Sequence, residues 1–111
     1  MKPVELTSET FAETVNSSDV PVLVDFHAQW CGPCKMLSPV IDQVAEARDG
    51  EAVVAKLDID AARDVATKYS ITSVPTLIVF KNGEPVAGAR GMQGRASIDA
   101  MIDQALEKAP A

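Results

Sequence analysis

Positive charge is scarce in this chain, in which ten lysines and arginines are outnumbered by sixteen aspartates and glutamates, for a net charge of −6. Nucleic acid and anionic membrane surfaces are therefore poor candidate partners, because both attract basic proteins. Long apolar runs are also missing. The longest, residues 20–24, is far too short to cross a bilayer, so we expect no membrane-spanning segment and no membrane partner.

The chain also lacks the features of a targeting segment or a repeat protein. Its first six residues contain no apolar stretch of the kind that a signal peptide needs, so we expect a reducing, cytoplasmic compartment. No linker, internal repeat or low-complexity tract divides the 111 residues, a length that buries a substantial core without disulfides or metal. We expect a single domain over residues 1–111 and a monomeric protein.

Apolar stretches with the spacing of strands alternate with stretches that have the spacing of helices. Continuous apolar runs are typical of strands covered on both faces, and Asn82-Gly83 between the last two runs is a strong hairpin signal. This order predicts an α/β fold in which a mixed sheet has helices on both faces. The predicted strands are Val22–Phe26, Ala52–Leu57, Thr76–Phe80 and Pro85–Ala89, and the predicted helices start near Ser8, span Cys31–Arg48 and Ala61–Lys68, and cover Ile98–Leu106.

The two cysteines of the chain, Cys31 and Cys34, are separated by only two residues. A bridge between them closes almost no loop and so adds little stability. In a reducing compartment this spacing is typical of catalysis or metal binding. Cys31 follows a predicted buried strand and opens a helix, whose unpaired N–H groups and dipole favour a thiolate. We therefore expect Cys31 to be the exposed attacking thiol and Cys34, one turn deeper, to be the shielded resolving thiol.

Asp25 interrupts an otherwise apolar strand. Burial of a carboxyl is costly and raises its pKa, which makes it a candidate proton acceptor near neutral pH. Its position six residues before Cys31, on the strand that leads to the active loop, favours a place beneath Cys34. The alternative is an acid at the strand end that faces water. Lys56, in the next predicted strand, is either a partner of Asp25 or an edge lysine with an exposed ammonium.

Val74-Pro75-Thr76 places a proline directly before a predicted strand. A plain strand start explains this position, and so does a cis peptide bond in a tight turn. Because only about 5–6% of X–Pro bonds in folded proteins are cis, the spacing alone predicts a trans bond.

Together these motifs resemble the thioredoxin family, in order and in spacing, from about Val4 to Leu106. The combination of Trp-Cys-Gly-Pro-Cys-Lys with a hydrophobic-Pro-Thr some forty residues later is highly specific, and it indicates the family itself rather than only the wider fold superfamily. The matching residues are Val24-Asp25-Phe26, Trp30-Cys31-Gly32-Pro33-Cys34-Lys35, Lys56, Val74-Pro75-Thr76, Asn82-Gly83 and Gly91.

The resemblance implies a thioredoxin fold, with a central mixed five-stranded sheet flanked by four helices and the dithiol at a helix start. It implies that Asp25 is the buried acid beneath Cys34, with Lys56 as its neighbour. It also implies that Pro75 is cis and faces the cysteines, against the frequency argument above. The substrate-contact residues that it implies are Trp30, Gly32, Pro33, Val74, Pro75, Thr76 and Gly91.

The function implied by the resemblance is that of a general protein-disulfide reductase, a thiol–disulfide oxidoreductase with no cofactor and no metal. Cys31 attacks the disulfide of an oxidised client protein, and Cys34 resolves the mixed disulfide with Asp25 as proton acceptor. No glycine-rich nucleotide motif is present, so the electrons are expected from a separate donor of the thioredoxin reductase type.

Three other functions are weighed against this one. An oxidase or isomerase of the same fold would favour an oxidising compartment and other residues between the cysteines. A zinc or iron–sulfur site formed by Cys31, Cys34 and His27 has three ligands, one short of a closed zinc site unless subunits share the metal. A non-catalytic binding subunit would use the same docking surface without the dithiol chemistry.

His27 departs from the family pattern, in which the second position after the buried acid usually carries a bulky aromatic side chain. Trp30 is consequently the only tryptophan. One interpretation is that His27 simply fills the aromatic packing position. The other is that His27 adds a titration between pH 5 and 8, in which the protonated ring favours the Cys31 thiolate and stabilises the reduced form.

Overall fold

The structure, a computed structural model, describes residues 2–107. The order of elements confirms the predicted alternation of strands and helices. Along this part of the chain they are β1 (Val4–Leu6), α1 (Ser8–Ser17), β2 (Val22–His27), α2 (Gly32–Ala47), β3 (Val53–Asp58), α3 (Arg63–Lys68), β4 (Thr76–Lys81), β5 (Glu84–Arg90) and α4 (Arg95–Glu107).

The five strands form one mixed sheet in the order β1-β3-β2-β4-β5. β3 pairs in parallel with both β1 and β2, whereas β4 pairs antiparallel with β2 and with β5. The five-stranded sheet with four helices is the predicted fold. β1 has no counterpart among the strands predicted from apolar spacing, because three residues are too few to show an alternating pattern.

β2 lies at the centre of the sheet and directs alternate side chains into two separate core clusters. Leu23 packs with the inward faces of α2 and α4, whereas Val24 and Phe26 pack with α1 and α3. Because side chains two apart in a strand share a face, Asp25 lies on the same side of the sheet as Leu23. The alternation therefore places the carboxyl of Asp25 on the side covered by α2.

The predicted hairpin between β4 and β5 is confirmed. Lys81 pairs with Glu84, which leaves a two-residue loop of Asn82 and Gly83. Both loop residues have positive φ values, 54° and 81°, as a type I′ turn requires. The turn returns β5 along β4 and brings its last residue, Arg90, opposite Thr76. Among residues 2–107, no helix combines the length and apolarity needed to span a membrane.

Candidate active site

Cys31 and Cys34 are joined by a disulfide at the start of α2. Cys31 is the N-cap residue of this helix, and its Sγ accepts the backbone N–H of Cys34 at 3.2 Å. Pro33 occupies the first turn, where the lack of an N–H costs nothing. In the reduced protein the same N–H and the positive end of the helix dipole stabilise negative charge on the Cys31 sulfur.

The prediction that Cys31 is exposed is wrong for this disulfide form. Cys31 is 3% exposed and Cys34 is 5% exposed, so the two residues are about equally buried. Ile59 and Val74, which come from distant parts of the chain, pack against the cysteines. The Sγ of Cys31 lies 3.7 Å from the Val74 carbonyl oxygen. The difference between the two sulfurs lies in their helix positions, since Cys31 caps α2 and Cys34 lies within its first turn.

The Val74–Pro75 peptide bond is cis. The resemblance to the thioredoxin family implies this state, whereas the prediction of a trans bond from the rarity of cis X–Pro bonds is wrong. The backbone around it is tied to both neighbouring segments. Thr76 donates its hydroxyl to the Ser73 carbonyl at 2.7 Å, and the Gly91 N–H donates to the Pro75 carbonyl at 2.8 Å. Gly91 has a φ of 83°, which glycine adopts readily and other residues rarely do. Val74, Pro75, Thr76 and Gly91 are thus brought together beside the disulfide.

An exposed rim surrounds the buried sulfurs. Trp30 is 70% exposed, and its indole N–H donates to the Asp60 carboxylate at 2.8 Å, which fixes the ring orientation. Gly32 and Pro33 are exposed beside it. Met92, directly after Gly91, is 47% exposed. Asp60 and Met92 were not predicted from the sequence. No spacing signal links Asp60 to Trp30, whereas Met92 directly follows Gly91.

Asp25 is completely buried, and neither of its carboxylate oxygens has a hydrogen-bond partner. The alternative of a strand-end acid that faces water is therefore wrong. Burial raises the pKa of Asp25 from 3.8 to about 6, a shift opposed by the charges of His27 and Lys56 and assisted by that of Glu5. A carboxyl with this pKa exchanges its proton near neutral pH, which is the property that the sequence analysis predicted.

Lys56 lies opposite Asp25 in the parallel pairing of β3 with β2. Its ammonium donates to the Ser38 hydroxyl at 2.9 Å instead of pairing with Asp25. Ser38 is four residues after Cys34 on α2, so both lie on one face of the helix. Ser38 was not predicted as a site residue, although its i, i+4 spacing from Cys34 places it near the site. Lys56 is thus a neighbour of Asp25 whose ammonium is hydrogen-bonded to Ser38.

His27 ends β2 on the same face as Asp25 and is partly buried. Its Nε2 lies 3.4 Å from the Oε2 of Glu5 on β1. The ring is therefore placed between a buried acid on its own strand and an exposed acid on the edge strand. Within residues 2–107, no three His, Cys, Asp or Glu side chains converge as a metal-binding group.

Comparison with known proteins gives consistent similarities. The model of the thioredoxin family matches residues 2–104. Thioredoxin of Mycobacterium tuberculosis is 46% identical over 95 residues, covering 86% of this chain and 82% of that protein. A bifunctional thioredoxin reductase/thioredoxin of Mycobacterium leprae is 43% identical over 95 residues, covering 86% of this chain and 21% of that protein. The structure of a mutant thioredoxin from Halobacterium salinarum is 36% identical, with a TM-score of 0.87 over 98% of this chain and 95% of that one.

Proposed function

The chain belongs to the thioredoxin family, and from that membership we propose the roles of the individual residues in its reaction. It is an oxidoreductase of protein disulfides that uses the Cys31–Cys34 pair. The observation that carries the proposal is the position of this pair, at the N-terminus of α2 on the face of the sheet that holds the buried, unpaired Asp25.

The proposed cycle passes two electrons from the dithiol to a client. The Cys31 thiolate attacks one sulfur of the client disulfide, forms a mixed disulfide and releases the other client sulfur as a thiolate. Cys34 then loses its proton to Asp25, and its thiolate attacks the Cys31 sulfur. This second step releases the remaining client thiolate and leaves the Cys31–Cys34 disulfide. Lys56, the lysine opposite Asp25, acts on this step through its positive charge, which lowers the pKa of the Asp25 carboxyl.

We propose that the disulfide is reduced again by a separate protein of the thioredoxin reductase type. The bifunctional relative from Mycobacterium leprae, whose name joins a thioredoxin reductase to a thioredoxin, supports this donor. Oxidised proteins with accessible disulfides are the proposed clients. The single domain, the monomeric state and the cytoplasmic location stay predictions.

The function is tested by an assay that combines this chain, a bacterial thioredoxin reductase and a protein that has one accessible disulfide, with NADPH supplied as the source of electrons. We expect the client to be reduced over many turnovers only when all three are present. Reduction at the same rate without this chain, or no acceleration by this chain when dithiothreitol replaces the reductase, would contradict the proposal. The same assay at pH 6, 7 and 8 gives the pH dependence of the rate of client reduction.

The proposed docking surface for client peptides is the exposed rim together with the segment around the cis bond. It consists of Trp30, Gly32, Pro33, Val74, Pro75, Thr76 and Gly91. Trp30 is the most exposed aromatic residue of the described chain, and buried aromatic anchors often dominate the energy of a protein interface. The hydrogen bond to Asp60 holds its indole in place before a client arrives, which lowers the entropy cost of binding.

We expect Trp30→Ala to lower kcat/KM for a protein client roughly tenfold, as the loss of an aromatic anchor predicts. A small disulfide that contacts only the sulfurs is expected to react at nearly the unaltered rate. Leu106→Ala is the control, since Leu106 is an exposed apolar residue near the far end of α4, about 16 Å along the helix from its start. Equal losses for both substrates, or an equal loss in the control, would argue against docking at Trp30.

We propose that His27 adjusts the redox balance of the dithiol. A protonated ring stabilises nearby negative charge, and the charge of His27 lowers the pKa of Asp25. Protonation is therefore expected to favour the Cys31 thiolate and the reduced form at the acidic end of the range from pH 5 to 8.

His27→Phe tests this, because phenylalanine fills the aromatic position without a charge. We expect the unaltered chain to have a higher reduction potential than the variant at pH 5.5. This difference between the two potentials is expected to be larger at pH 5.5 than at pH 8, by an amount on the order of 10–20 mV. Equilibration with a glutathione buffer at each pH gives both potentials. Parallel curves across this range would leave His27 with the packing role alone.

A further inference from the structure

A buried carboxyl and a lysine lie side by side in the sheet without forming an ion pair. Asp25 and Lys56 are opposite one another on neighbouring parallel strands, well within reach of the four-carbon lysine side chain. Both oxygens of Asp25 nevertheless have no hydrogen-bond partner, and the Lys56 ammonium donates to the Ser38 hydroxyl at 2.9 Å. Asp25 is thus unpaired while the lysine opposite it in the sheet is bound to α2.

We propose that Ser38 is a positioning residue for the proton transfer, because its hydroxyl holds the Lys56 ammonium on α2 and so leaves the Asp25 carboxylate free to accept the proton of Cys34. This inference rests on the proposed function, in which Asp25 is the proton acceptor. Ser38 itself contacts neither the sulfurs nor a client in this scheme.

The location of Ser38 suits this role. It lies one helical turn after Cys34 on α2 and is partly buried, as is Lys56. A hydroxyl at this point offers the ammonium a neutral acceptor on the helix that covers Asp25. An opposite charge within about 4–6 Å lowers the pKa of a carboxyl by one to three units. A direct Lys56–Asp25 pair would therefore weaken Asp25 as a base, and the Ser38 hydroxyl prevents that pair.

Other charged groups surround Asp25 and Lys56. They determine which group the Lys56 ammonium would contact if the Ser38 hydroxyl were removed. On the sheet, Glu5 and His27 act on Asp25. On the solvent side, Lys56 lines a groove of about 540 Å³ together with Lys2, Pro3, Asp42 and Glu46. Exposed ion pairs with groove carboxylates are worth little, whereas attraction to a buried carboxylate is strong. We therefore expect the freed ammonium to turn inward to Asp25.

The test is the titration of the Asp25 carboxyl, followed by its carbon-13 chemical shift in the oxidised chain from pH 3 to pH 9. In Ser38→Ala the midpoint is expected to fall by about one pH unit, because the Lys56–Asp25 pair closes. Ser38→Thr keeps a hydroxyl and is expected to stay close to the unaltered midpoint. The rate at which Cys34 resolves a preformed mixed disulfide at pH 7 is expected to fall roughly threefold in Ser38→Ala, since a weaker base accepts the proton.

A double-mutant cycle makes the proposal specific to Lys56. In a Lys56→Met background, Ser38→Ala is expected to leave the Asp25 midpoint where Lys56→Met alone puts it, since no ammonium remains to be moved. An unchanged or raised midpoint in Ser38→Ala would overturn the proposal, as would the same shift in the Lys56→Met background. Either result is separate from a failure of the proposed function, which would show as a lack of client reduction by the unaltered chain.

Discussion

The Cys34→Ser variant is expected to accumulate client proteins as stable mixed disulfides on Cys31, whereas Cys31→Ser is expected to trap none and to lose all client reduction. In the proposed cycle, removal of the second thiol stops the reaction after the first exchange, because serine cannot attack the Cys31 sulfur. Removal of the first thiol stops the reaction before any bond to the client forms. The expected loss of turnover is complete for both variants.

The structural reason for this assignment is the helix position of each sulfur. Exposure does not distinguish them, since Cys31 and Cys34 are 3% and 5% exposed in the disulfide form. Cys31, however, caps α2 and accepts the Cys34 N–H at 3.2 Å. A thiolate at a helix N-terminus has a lowered pKa, so we expect Cys31 to be the sulfur that attacks.

The trapping experiment uses the prereduced variants and a client with a single disulfide, with products separated under nonreducing conditions. Peptide mass spectrometry then identifies the cysteine that is joined to the client. A client held by Cys31→Ser and not by Cys34→Ser would reverse the two roles. The double variant Cys31→Ser/Cys34→Ser is the control and is expected to form no adduct, which separates disulfide exchange from noncovalent binding.

Much of the fold was predictable from the sequence, because the strands that carry it are continuous and buried. Val22–Phe26 and Thr76–Phe80 became β2 and β4 with an added residue at the end of each. The two loop residues Asn82 and Gly83 predicted the hairpin turn, because both readily adopt the positive φ values that a type I′ turn requires and that most other residues avoid. β1 was not predicted as a strand, since a three-residue segment gains its identity from pairing with β3 rather than from its own pattern.

The candidate site was only partly predictable from local spacing. The cysteine pair and the anomalous Asp25 were visible directly, whereas the cis bond before Pro75 required the family resemblance. The burial of Cys31 depends on Ile59 and Val74, which are 28 and 43 residues away along the chain. Contacts of that kind are set by the tertiary structure and leave no trace in short-range patterns. The hydrogen bond from Lys56 to Ser38 is likewise set by the tertiary structure. The carboxylates of Asp25, Asp42 and Glu46 also lie near Lys56, and the sequence does not indicate which acceptor it binds.

Asp25→Asn is expected to stabilise the oxidised chain by about 3 kcal/mol at pH 8 while slowing the resolution of mixed disulfides. The stabilisation follows from the pKa of about 6 in the folded chain against an ordinary value of 3.8. A difference of about two pH units in the pKa corresponds to about 3 kcal/mol. The kinetic loss is expected to be roughly 100-fold, at the low end of what a positioned general base contributes.

The sign of the effect sets its pH dependence. Between about pH 4 and pH 6 the unfolded chain releases the Asp25 proton and the folded chain keeps it, so the folded state loses stability as the pH rises. Below pH 4 both states are protonated, and the charge of Asp25 then adds no cost. The gain from Asp25→Asn is therefore expected to be small at pH 4, to grow through pH 6 and to level off above about pH 7.

Urea unfolding of the oxidised proteins at several pH values measures this gain directly. Asp64→Asn is the matched control, since Asp64 is an exposed aspartate whose pKa is lowered by the Ser8 hydroxyl, and no stabilisation at pH 8 is expected from its removal. A gain for Asp25→Asn that is the same at pH 4 and pH 8 would show that packing, not the buried charge, limits stability here. A gain that is small at pH 4, grows through pH 6 and levels off above about pH 7, together with slower resolution, would mean that the protein tolerates an unpaired buried carboxyl because its chemistry uses that group.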